Sequence, residues 1–471
     1  MSERKKIAAI VTSYFVESHA NLIVSKFAKG FPTEDGLVEP QVDVVSMYMD
    51  QLHTNDVGMG VAREHGIEVY PSIRAALTLQ RGSEGAWPTA DDWQDGELAV
   101  DGVLLIGEHG DYPYNERDRR LYPRRHMFEQ VCGVFSGSGR SAPVFSDKHL
   151  SYSWADATWM YERARELDVP FMAGSSLPVT RREPELEHEI GTPIEEALQI
   201  GFINSYKTGL DSYGFHGLEA LQCMVERRSG GETGIAAVQC LEGEAVWEAG
   251  RTGVWSRELA DAAEALVEEK EAGRREDNCP NPAVFLIEYS DGLRAAALVL
   301  PGHLRGWGYS ARVNGRVEAT GFNRTGGLDH AFGYLGLNVQ EMFITGRPQY
   351  PVERTLLVTG ALEALMESRY QGHVRIETPN LNVAYEPYEE PPIRPGGIGH
   401  EALLHRAGKQ VGDGPGPHQL YQEQAEEQKA DEHPDESGAT QGTAWDQGDR
   451  PSFSHSLAGR SKKGPGLCPG P

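Results

Sequence analysis

Ionisable side chains follow two of the short apolar runs in this sequence, at the points where those runs end. The groups after 103–106 and after 143–145 comprise Gly107, Glu108, His109, Tyr112, Asp147, Lys148 and His149. A lysine beside a carboxylate and an imidazole can have its pKa tuned by them, and it can then donate a proton or a hydrogen bond to a substrate oxygen. We therefore interpret Lys148 as a candidate catalytic residue, with a solvated loop charge as the alternative.

A second candidate lies in a helix expected at 212–227. His216 and Glu219 are three residues apart, so a helix places them on one face. Near the start of a helix an imidazole meets the positive end of the helix dipole, which favours the neutral form that a general base needs. His216 is the candidate base, although a single helical histidine is more often structural than catalytic.

The stretch 12–19 joins the first expected strand to the first expected helix. A dinucleotide-binding fold normally has Gly-x-Gly-x-x-Gly here, because glycine lets the backbone approach the pyrophosphate, and none of those glycines is present. Thr12, Ser13 and the N–H groups behind Ser18 could still receive a phosphate, or they could serve only the turn and the helix cap. Asp50, after the second expected strand, is placed to bind a ribose hydroxyl or is an ordinary loop residue.

Alternating strands and helices are expected through residues 1–175, and these elements must position the candidate groups. Short apolar runs predict strands at 7–11, 42–49, 69–70, 103–106, 143–145 and 171–173. Amphipathic stretches predict helices at 18–29, 56–65, 73–79, 124–136 and 154–167, and polar residues predict a surface insertion at 81–96. This order is typical of an α/β fold with a doubly wound, Rossmann-like parallel sheet, which binds ligands at the carboxyl ends of its strands.

Longer strands and turn signals dominate residues 176–390. Strands are expected at 197–203, 234–241, 283–289, 294–299, 309–313 and 316–320, and helices at 212–227, 256–271, 328–345 and 352–370. Ser290-Asp291-Gly292 and Asn314-Gly315 indicate hairpins, so we expect an α+β domain with a mainly antiparallel sheet. In residues 391–471, Gly, Pro, Gln, Ser and acidic residues replace the apolar periodicity, which predicts a disordered C-terminal tail.

The overall charge argues against whole classes of partner. The 471 residues include 44 Lys and Arg against 70 Asp and Glu, for a formal net charge of −26. Such a surplus repels phosphate backbones and anionic membrane surfaces, so neither nucleic acid nor a membrane is an expected partner. No run approaches the ~20 apolar residues of a membrane span. The run 7–11 is also too short for a signal peptide, so we expect a cytoplasmic protein.

Several of these motifs together resemble the Gfo/Idh/MocA family of nicotinamide-dependent oxidoreductases, over about residues 6–385. The Asp-Lys-His tripeptide at 147–149 is similar to the family's Glu-Lys-Pro motif after the fifth strand. Arg181 takes the place of the arginine in its Arg-x-x-Pro stretch. The segment 343–348 and the helix after it resemble its closing Gly-x-Pro turn and helix.

The segment 212–219 is similar to the family's Asp-x-Gly-x-His-x-x-Asp motif, in which the histidine is the general base. Ser212 stands where that motif has its first aspartate, and Glu219 stands where it has its second. The glycine fingerprint is missing, and His149 replaces the proline of the Glu-Lys-Pro motif. These departures bear on cofactor binding and on the proton relay that the resemblance implies.

The resemblance implies hydride transfer between NAD or NADP and a secondary alcohol of a sugar, cyclitol or related polyol. Lys148 and His216 would be catalytic, and the cofactor would contact Thr12, Ser13, Ser18, Asp50, Gly107 and Glu108. The small-molecule substrate would contact His109, Tyr112, Asp147, His149, Arg181, Ser212 and Glu219. Asp50 favours NAD, because its carboxylate repels the 2′-phosphate of NADP. The open sheet of the family's second domain commonly forms an oligomer interface, so a homo-oligomer is expected.

Two other functions remain open from the sequence. One is a metal-dependent enzyme on the same scaffold, because carboxylates and imidazoles converge near one cleft. No compact zinc motif is present, and the leading interpretation includes no metal. The metal ligands of this alternative would come from Glu108, His109, Asp147, His149, His216 and Glu219. The other is a non-catalytic descendant that binds a sugar or nucleotide, which the missing glycine turn suggests.

Overall fold

Strands and helices alternate through the residues that the computed structural model describes, namely 4–80, 97–203, 206–323 and 327–396. The elements up to residue 183 are β1 (Lys5–Val11), α1 (His19–Lys29), β2 (Phe31–Thr33), β3 (Gly36–Val38), β4 (Val42–Met49), α2 (Gly58–Glu64), β5 (Glu68–Val69), α3 (Ile73–Thr78), β6 (Gly102–Ile106), α4 (Arg124–Ser138), β7 (Val144–Asp147), α5 (Trp154–Glu166), β8 (Phe171–Gly174) and β9 (Arg181–Glu183). Those that follow are β10 (Ile194–Gly201), α6 (Tyr206–Val225), β11 (Ile235–Glu242), α7 (Glu244–Arg251), α8 (Arg257–Ala265), α9 (Arg275–Asn278), β12 (Ala283–Tyr289), β13 (Arg294–Val299), β14 (Trp307–Val313), β15 (Arg316–Asn323), α10 (Gly327–Thr345), α11 (Val352–Tyr370) and β16 (Ile376–Glu377). Within the described ranges, every helix is too short or too polar to cross a membrane.

The first sheet has six parallel strands in the order β5-β4-β1-β6-β7-β8. Counted along the chain, this is the 3-2-1-4-5-6 order of doubly wound dinucleotide-binding folds, and it confirms the predicted Rossmann-like sheet. Residues 7–11 of β1 are fully buried, because α1 and α10 cover one face of the sheet and α3, α4 and α5 cover the other. The strand order reverses between β1 and β6, so a ligand crevice is expected at their carboxyl ends.

Helix α10 packs on this first sheet, although its residues lie in the range 176–390 that the sequence analysis assigned to a second domain. Its side chains Phe332, Leu335 and Phe343 belong to the same apolar core as Ile7 of β1. The first core is therefore built from both parts of the chain.

The second sheet has eight strands in the order β16-β11-β12-β13-β10-β14-β15-β9. Only β10 and β13 pair in parallel within it, and the other described pairs are antiparallel, which confirms the predicted mainly antiparallel sheet. Asn314 and Gly315 join β14 to β15 with φ values of 50° and 70°. Positive φ at both central residues is the geometry of a two-residue hairpin turn, as the sequence indicated.

Helices pack on both faces of the second sheet. The core on one face contains side chains of α6 and α11, and the core on the other contains side chains of α7 and α8. On this second face Trp255 is 1% exposed, and its Nε1 donates to the Val246 carbonyl at 2.9 Å. Helix α7 was not predicted. The resemblance implied an oligomer interface on an open sheet in the second domain. On this face, helices α7 and α8 of the same chain cover β10, β12 and β13.

Helix α6 begins at Tyr206, well before the start expected at 212. His216 therefore lies inside the helix and not at its start. The predicted influence of the helix dipole on His216 is wrong, because that effect is confined to the first turn.

The first residues of the expected tail pack against the rest of the chain. Arg394 is 1% exposed and forms ion pairs with Glu185 and Glu187. The backbone N–H of Ile393 donates to Asn338 Oδ1 at 2.9 Å. The remainder of that tail, 397–471, and the expected insertion at 81–96 lie outside the described residues.

Candidate active site

A cavity of about 410 Å³ lies where the carboxyl ends of β6, β7 and β8 meet helix α6. Among the predicted site residues, those that line it are Glu108, His109, Lys148, His149, Ser212 and His216. Those that do not line it are Thr12, Ser13, Ser18, Asp50, Gly107, Tyr112, Asp147, Arg181 and Glu219. The fold thus brings the candidate lysine and the candidate base to one cavity, at the strand ends where ligands of such sheets bind.

Glu108 is the centre of a buried charge network in the cavity wall. One of its carboxylate oxygens accepts a hydrogen bond from Arg124, and the other accepts one from Lys148 Nζ at 3.2 Å. Burial alone would raise the pKa of Glu108, but Lys148 and then Arg124 outweigh it and hold that pKa well below its ordinary value. Lys148 is only 4% exposed, so the interpretation as a solvated loop charge is wrong. Two cations share one carboxylate here, so Glu108, Lys148 and Arg124, when ionised, together carry one net positive charge.

The backbone of Lys148 has a left-handed conformation, with φ of 61°. Its N–H donates to the Gly174 carbonyl at 2.9 Å, which ties the end of β7 to the end of β8. This conformation costs a non-glycine residue roughly 1–2 kcal/mol, and such strain is concentrated at functional sites. It places Nζ 6.0 Å from the ring centroid of Tyr213, on the opposing helix α6.

His216 is joined to a buried carboxyl group through one serine. Its Nδ1 lies 2.9 Å from Ser175 Oγ, and that hydroxyl donates to Glu219 Oε2. The backbone N–H of Ser175 donates to both Glu219 oxygens at 3.0 Å. Burial raises the pKa of Glu219 to about 7, against the lowering effect of the Ser175 hydrogen bonds. Glu219 was predicted to contact substrate, but it is fully buried behind His216. Ser175 was not among the predicted site residues.

Gly174 makes room for the Glu219 carboxyl group. It has φ of 133°, and a Cβ at this position would lie 2.1 Å from Glu219 Oε1. We expect Gly174→Ala to displace the carboxyl group and to lower the free energy of unfolding by about 2–3 kcal/mol, because backbone strain adds to the loss of buried hydrogen bonds. Chemical denaturation measures this change.

Gly60→Ala is the matched control for Gly174→Ala. Gly60 lies in helix α2, and a Cβ there would meet nothing within 4 Å. Because alanine is the better helix former by about 1 kcal/mol, this variant should be at least as stable as the parent. Equal stability of the two variants would argue against the close approach of Glu219 to Gly174.

His149 is a buried polar side chain in the cavity wall. Neither of its ring nitrogens has a hydrogen-bond partner among the described residues, and its ring centroid is 5.5 Å from that of Phe215. Burial lowers its pKa well below the ordinary value, with Arg124 and Arg119 adding to the effect. A neutral imidazole has one donor and one acceptor nitrogen. His149 can therefore pair with a hydroxyl group of a ligand.

The β1–α1 turn uses two of its three predicted residues structurally. Thr12 is fully buried, and its hydroxyl donates to the Glu108 carbonyl at 2.7 Å, which joins β1 to β6. Ser18 Oγ caps helix α1 by accepting from the backbone N–H of Asn21 at 3.2 Å. For these two residues the turn and cap interpretation is sufficient.

Ser13 and Asp50 fit a dinucleotide at its phosphate and its ribose. The Ser13 hydroxyl is buried and has no partner among the described residues, as expected of a donor that a ligand oxygen would satisfy. Asp50 is exposed at the end of β4, where an acidic residue binds ribose in this fold. The N–H of His19, in the first turn of α1, is occupied by His109 Nδ1 at 3.3 Å. A phosphate contact at that N–H therefore requires His109 to move.

Two tyrosine hydroxyls hold the Asp50 carboxylate. Tyr48 donates to one oxygen at 2.9 Å, and Tyr112 donates to the other at 2.6 Å. The Gln51 amide bonds the backbone of Asp111 in both directions, at 2.7 and 3.1 Å. The loop after β6 is thereby fixed to the end of β4, and Tyr112 orients Asp50 instead of lining the cavity.

Three further predicted residues do not line the cavity and have structural partners in the described part of the chain. Asp147 Oδ2 pairs with His19 Nδ1 at 2.7 Å, and Arg181 Nε donates to Glu183 at 2.9 Å. A Cβ at position 107 would lie 2.5 Å from Cγ of Arg124, so Gly107 gives space to that side chain. This close approach accounts for the glycine without a cofactor contact.

The segment between β6 and α4 contributes cavity residues that the sequence analysis missed. Arg119 is fully buried, and its Nε donates at 2.7 Å to Asp211, which lines the cavity. Arg120 also lines it, with its guanidinium 4.5 Å from the ring centroid of Tyr114. A cluster of arginines with tyrosines in an otherwise acidic sequence was the signal that could have indicated them.

A metal-dependent enzyme is not favoured by the arrangement. Among the described residues, no group of three His, Cys, Asp or Glu side chains is placed to hold a metal ion. The candidate carboxylates are already engaged, since Glu108 pairs with cations, Asp147 with His19, and Glu219 with Ser175. The fold and the cavity together define a protein with a doubly wound sheet and, at its strand ends, a cavity that Lys148 and His216 line.

No family model and no curated protein matches this sequence. Three of the solved structures that match this fold each align with 80% of this chain. GenD2 from gentamicin A biosynthesis, in complex with NAD, is 16% identical with a TM-score of 0.49, and 97% of that chain is covered. Myo-inositol 2-dehydrogenase from Lactobacillus plantarum is 13% identical with a TM-score of 0.47 and 99% covered. Scyllo-inositol dehydrogenase from Lactobacillus casei, with bound NAD(H) and scyllo-inositol, is 10% identical with a TM-score of 0.48 and 99% covered.

Proposed function

We propose that this chain is an oxidoreductase that moves a hydride between a nicotinamide cofactor and a secondary alcohol of a sugar, cyclitol or related polyol. One observation carries the proposal: Lys148 and His216 line the same cavity at the strand ends of a doubly wound sheet. Oxidation of a secondary alcohol needs a base for the hydroxyl proton and a donor for the developing alkoxide. These two side chains have the required chemistry.

NAD is the favoured cofactor, with NADP as the other candidate. Ser13 and Asp50 would hold it, and the Asp50 carboxylate disfavours a 2′-phosphate by charge repulsion. When bound, the nicotinamide supplies the hydride acceptor. The chain's own residues would orient the alcohol and move its proton.

His216 would take the hydroxyl proton at Nε2, because its Nδ1 is engaged by Ser175. Lys148 would hold the substrate oxygen as negative charge develops on it. Glu108 neutralises Lys148 only in part, since the same carboxylate also pairs with Arg124. The positive charge that remains would stabilise an alkoxide, which is where the transition state carries its new charge.

The cavity wall suits a polyhydroxylated ring. Tyr122, Tyr213 and Trp307 line it and offer aromatic surfaces for the C–H faces of such a ring. Ser212 and His149 line it as well and offer hydrogen-bonding groups for hydroxyls. Apolar walls with a few placed polar groups are typical of small-molecule sites.

A non-catalytic sugar-binding protein is the second candidate. The specific observation in its favour is the contact between His109 Nδ1 and the N–H of His19, which occupies a donor that a pyrophosphate would otherwise use. This candidate keeps the polyol in the cavity and needs no dinucleotide.

Thermal unfolding of the full chain, with each nicotinamide dinucleotide in both redox states and with a panel of cyclitols and sugars, tests the proposal. A ligand that binds only the folded state adds about 2.7 kcal/mol at one hundred times its Kd. We expect stabilisation by NAD, and absorbance of reduced nicotinamide when NAD and a suitable polyol are both present. We also expect Asp50→Asn to weaken the preference for NAD over NADP. Stabilisation by a polyol with no dinucleotide effect would overturn the proposal in favour of the second candidate.

A further inference from the structure

We propose that Ser175 and Glu219 are positioning residues that set the ring tautomer of His216 and receive the proton that His216 accepts. This inference rests on the proposed function, which it deepens by naming the end point of the substrate proton. The three residues lie on separate parts of the chain: Ser175 directly follows β8, whereas His216 and Glu219 are three apart on α6.

When Glu219 is ionised, the hydrogen-bond donors in this group fix the direction of each bond. Glu219 Oε2 accepts from the Ser175 hydroxyl, and both Glu219 oxygens also accept from the Ser175 backbone N–H. A serine hydroxyl has a single proton, so Ser175 Oγ can only accept from His216, whose Nδ1 is 2.9 Å away. The proton of neutral His216 is then on Nδ1, and Nε2 is the basic nitrogen.

Protonation of Glu219 reverses the donor and acceptor roles in both hydrogen bonds of the Ser175 hydroxyl. A protonated Glu219 donates to Ser175 Oγ, so the Ser175 hydroxyl must turn to donate to Nδ1, and the neutral ring then carries its proton on Nε2. The state of Glu219 therefore determines whether His216 presents an acceptor or a donor. The two arrangements are the start and the end of one proton transfer.

The transfer balances in three steps. The substrate O–H bond breaks as an Nε2–H bond forms on His216. The Nδ1–H bond then breaks as an O–H bond forms on Ser175, and the original Ser175 proton passes to Glu219 Oε2. The hydride would leave the substrate carbon for the nicotinamide of the proposed function, so the net products would be a ketone, a reduced nicotinamide and a neutral Glu219 carboxyl group.

The surroundings of Glu219 favour an uncharged carboxyl group as the end point. Glu219 and Ser175 are 0% and 2% exposed, and burial of a carboxylate favours its neutral form. The charged groups that act on Glu219 from neighbouring elements are Arg354 of α11, which favours the carboxylate, and Asp147 of β7, which opposes it. Among the described residues, the rings that contact the His216 ring include those of Tyr213, Phe215 and Trp307.

This arrangement also accounts for Ser212. In the motif that the sequence resembles, an aspartate stands four residues before the histidine, and here that position is a serine. Here the carboxyl group is that of Glu219, three residues after His216 in the same helix. It is linked to His216 through the Ser175 hydroxyl. Gly174 permits the approach, because any side chain there would collide with Glu219.

The tautomer of His216 can be measured without substrate or cofactor. We would label the histidines of the full chain with ¹⁵N, identify the His216 ring nitrogens by their loss in His216→Asn, and read from their shifts which nitrogen carries the proton. At a pH well above 7 the parent should carry it on Nδ1. Glu219→Gln should move it to Nε2, because the amide N–H₂ donates to Ser175 and turns the hydroxyl toward His216. Ser175→Ala should also reduce the Nδ1–H population.

Ser310→Ala is the matched control, because Ser310 is a fully buried serine that donates to the Leu259 carbonyl at 2.7 Å in another part of the second sheet. It should leave the His216 shifts unchanged. If His216 had the same tautomer in the parent, in Glu219→Gln and in Ser175→Ala, the inference would be overturned. If one variant fails to fold, the comparison of the other variant with the parent is sufficient.

Kinetics form the second arm and separate the two proposals. On a polyol that the parent oxidises, Ser175→Ala and Glu219→Gln should lower kcat by roughly 10²-fold or more, with little change in KM. A changed KM with an unchanged kcat would contradict the inference. Absence of turnover by the parent would count against the proposed function alone. The ¹⁵N measurement of the His216 tautomer needs no turnover and would still test the present inference.

Discussion

Arg124→Met should lower the free energy of unfolding by about 3 kcal/mol, since removal of one partner from a buried ion pair leaves a buried charge poorly compensated. Arg124 is fully buried, and its guanidinium pairs with Glu108. After the substitution Lys148, at 3.2 Å, would remain as the ion-pair partner of that carboxylate. Chemical denaturation at neutral pH, with the denaturant slope compared between variants, measures the loss.

Arg125→Met is the control for this prediction. Arg125 is adjacent in helix α4, but it pairs with a half-exposed Glu129 and its guanidinium lies 3.4 Å from the ring centroid of Trp159. Such surface ion pairs and cation–π contacts contribute about 1 kcal/mol or less each. If the two variants lost equal stability, the Glu108 network would not be the buried charge centre that we describe.

Lys148→Met should lower turnover of a polyol substrate by roughly 10²–10⁴-fold, the range in which a positioned proton or hydrogen-bond donor contributes to catalysis. The physical reason is that the developing alkoxide would lose the cation that stabilises it. Stabilisation by NAD in thermal unfolding should persist, because Ser13 and Asp50 are unchanged. Steady-state kinetics on folded protein, normalised by the unfolding curve, measure the effect.

Lys270→Met provides the comparison for Lys148→Met. Lys270 is exposed, and its ammonium group donates to a backbone carbonyl at 2.6 Å. This variant should retain the turnover of the parent. Retained turnover in Lys148→Met as well would remove Lys148 from the chemistry and leave it a structural partner of Glu108.

Most of the parallel sheet could be predicted from local pattern. A strand was expected at 42–49 and is found at Val42–Met49, and the first strand was expected to end at Val11, where it does. Residues 7–11 are an apolar run with polar residues after it, and a strand buried on both faces produces that pattern. Residues 42–49 are mostly apolar and are followed by Asp50, although Asp43 within that strand is exposed. The ends of the strands could therefore be predicted from the sequence. Their prediction also located Lys148 and Glu108 at one edge of the sheet.

The start of α6 was misplaced for a local reason. Ser212 matches the preference for serine at a helix N-cap, whereas Gly209 in the preceding turn is a poor helix former. In the structure a Cβ at position 209 would lie 2.9 Å from Cβ of Ile203, so the glycine is needed by the packing of the helix. Tertiary contact overrides local propensity at this point.

The partners of the site residues could not be predicted from sequence. Ser175 and Glu219 are 44 residues apart, and they meet only because β8 ends against the middle of α6. Arg124 reaches Glu108 across a loop whose course no periodic pattern reveals. The sequence indicated which residue types could do chemistry, but their protonation and orientation depend on these contacts between distant segments.

The face of the second sheet that α7 and α8 cover contributes stability that does not depend on protein concentration. An apolar face that is covered by another subunit becomes exposed when the subunits part, so the stability it confers depends on protein concentration. Here Trp247 and Leu259, from α7 and α8, share a core with Leu198 and Leu298 of the strands beneath them. The burial on this face is a unimolecular property of the chain, and dilution leaves it unchanged.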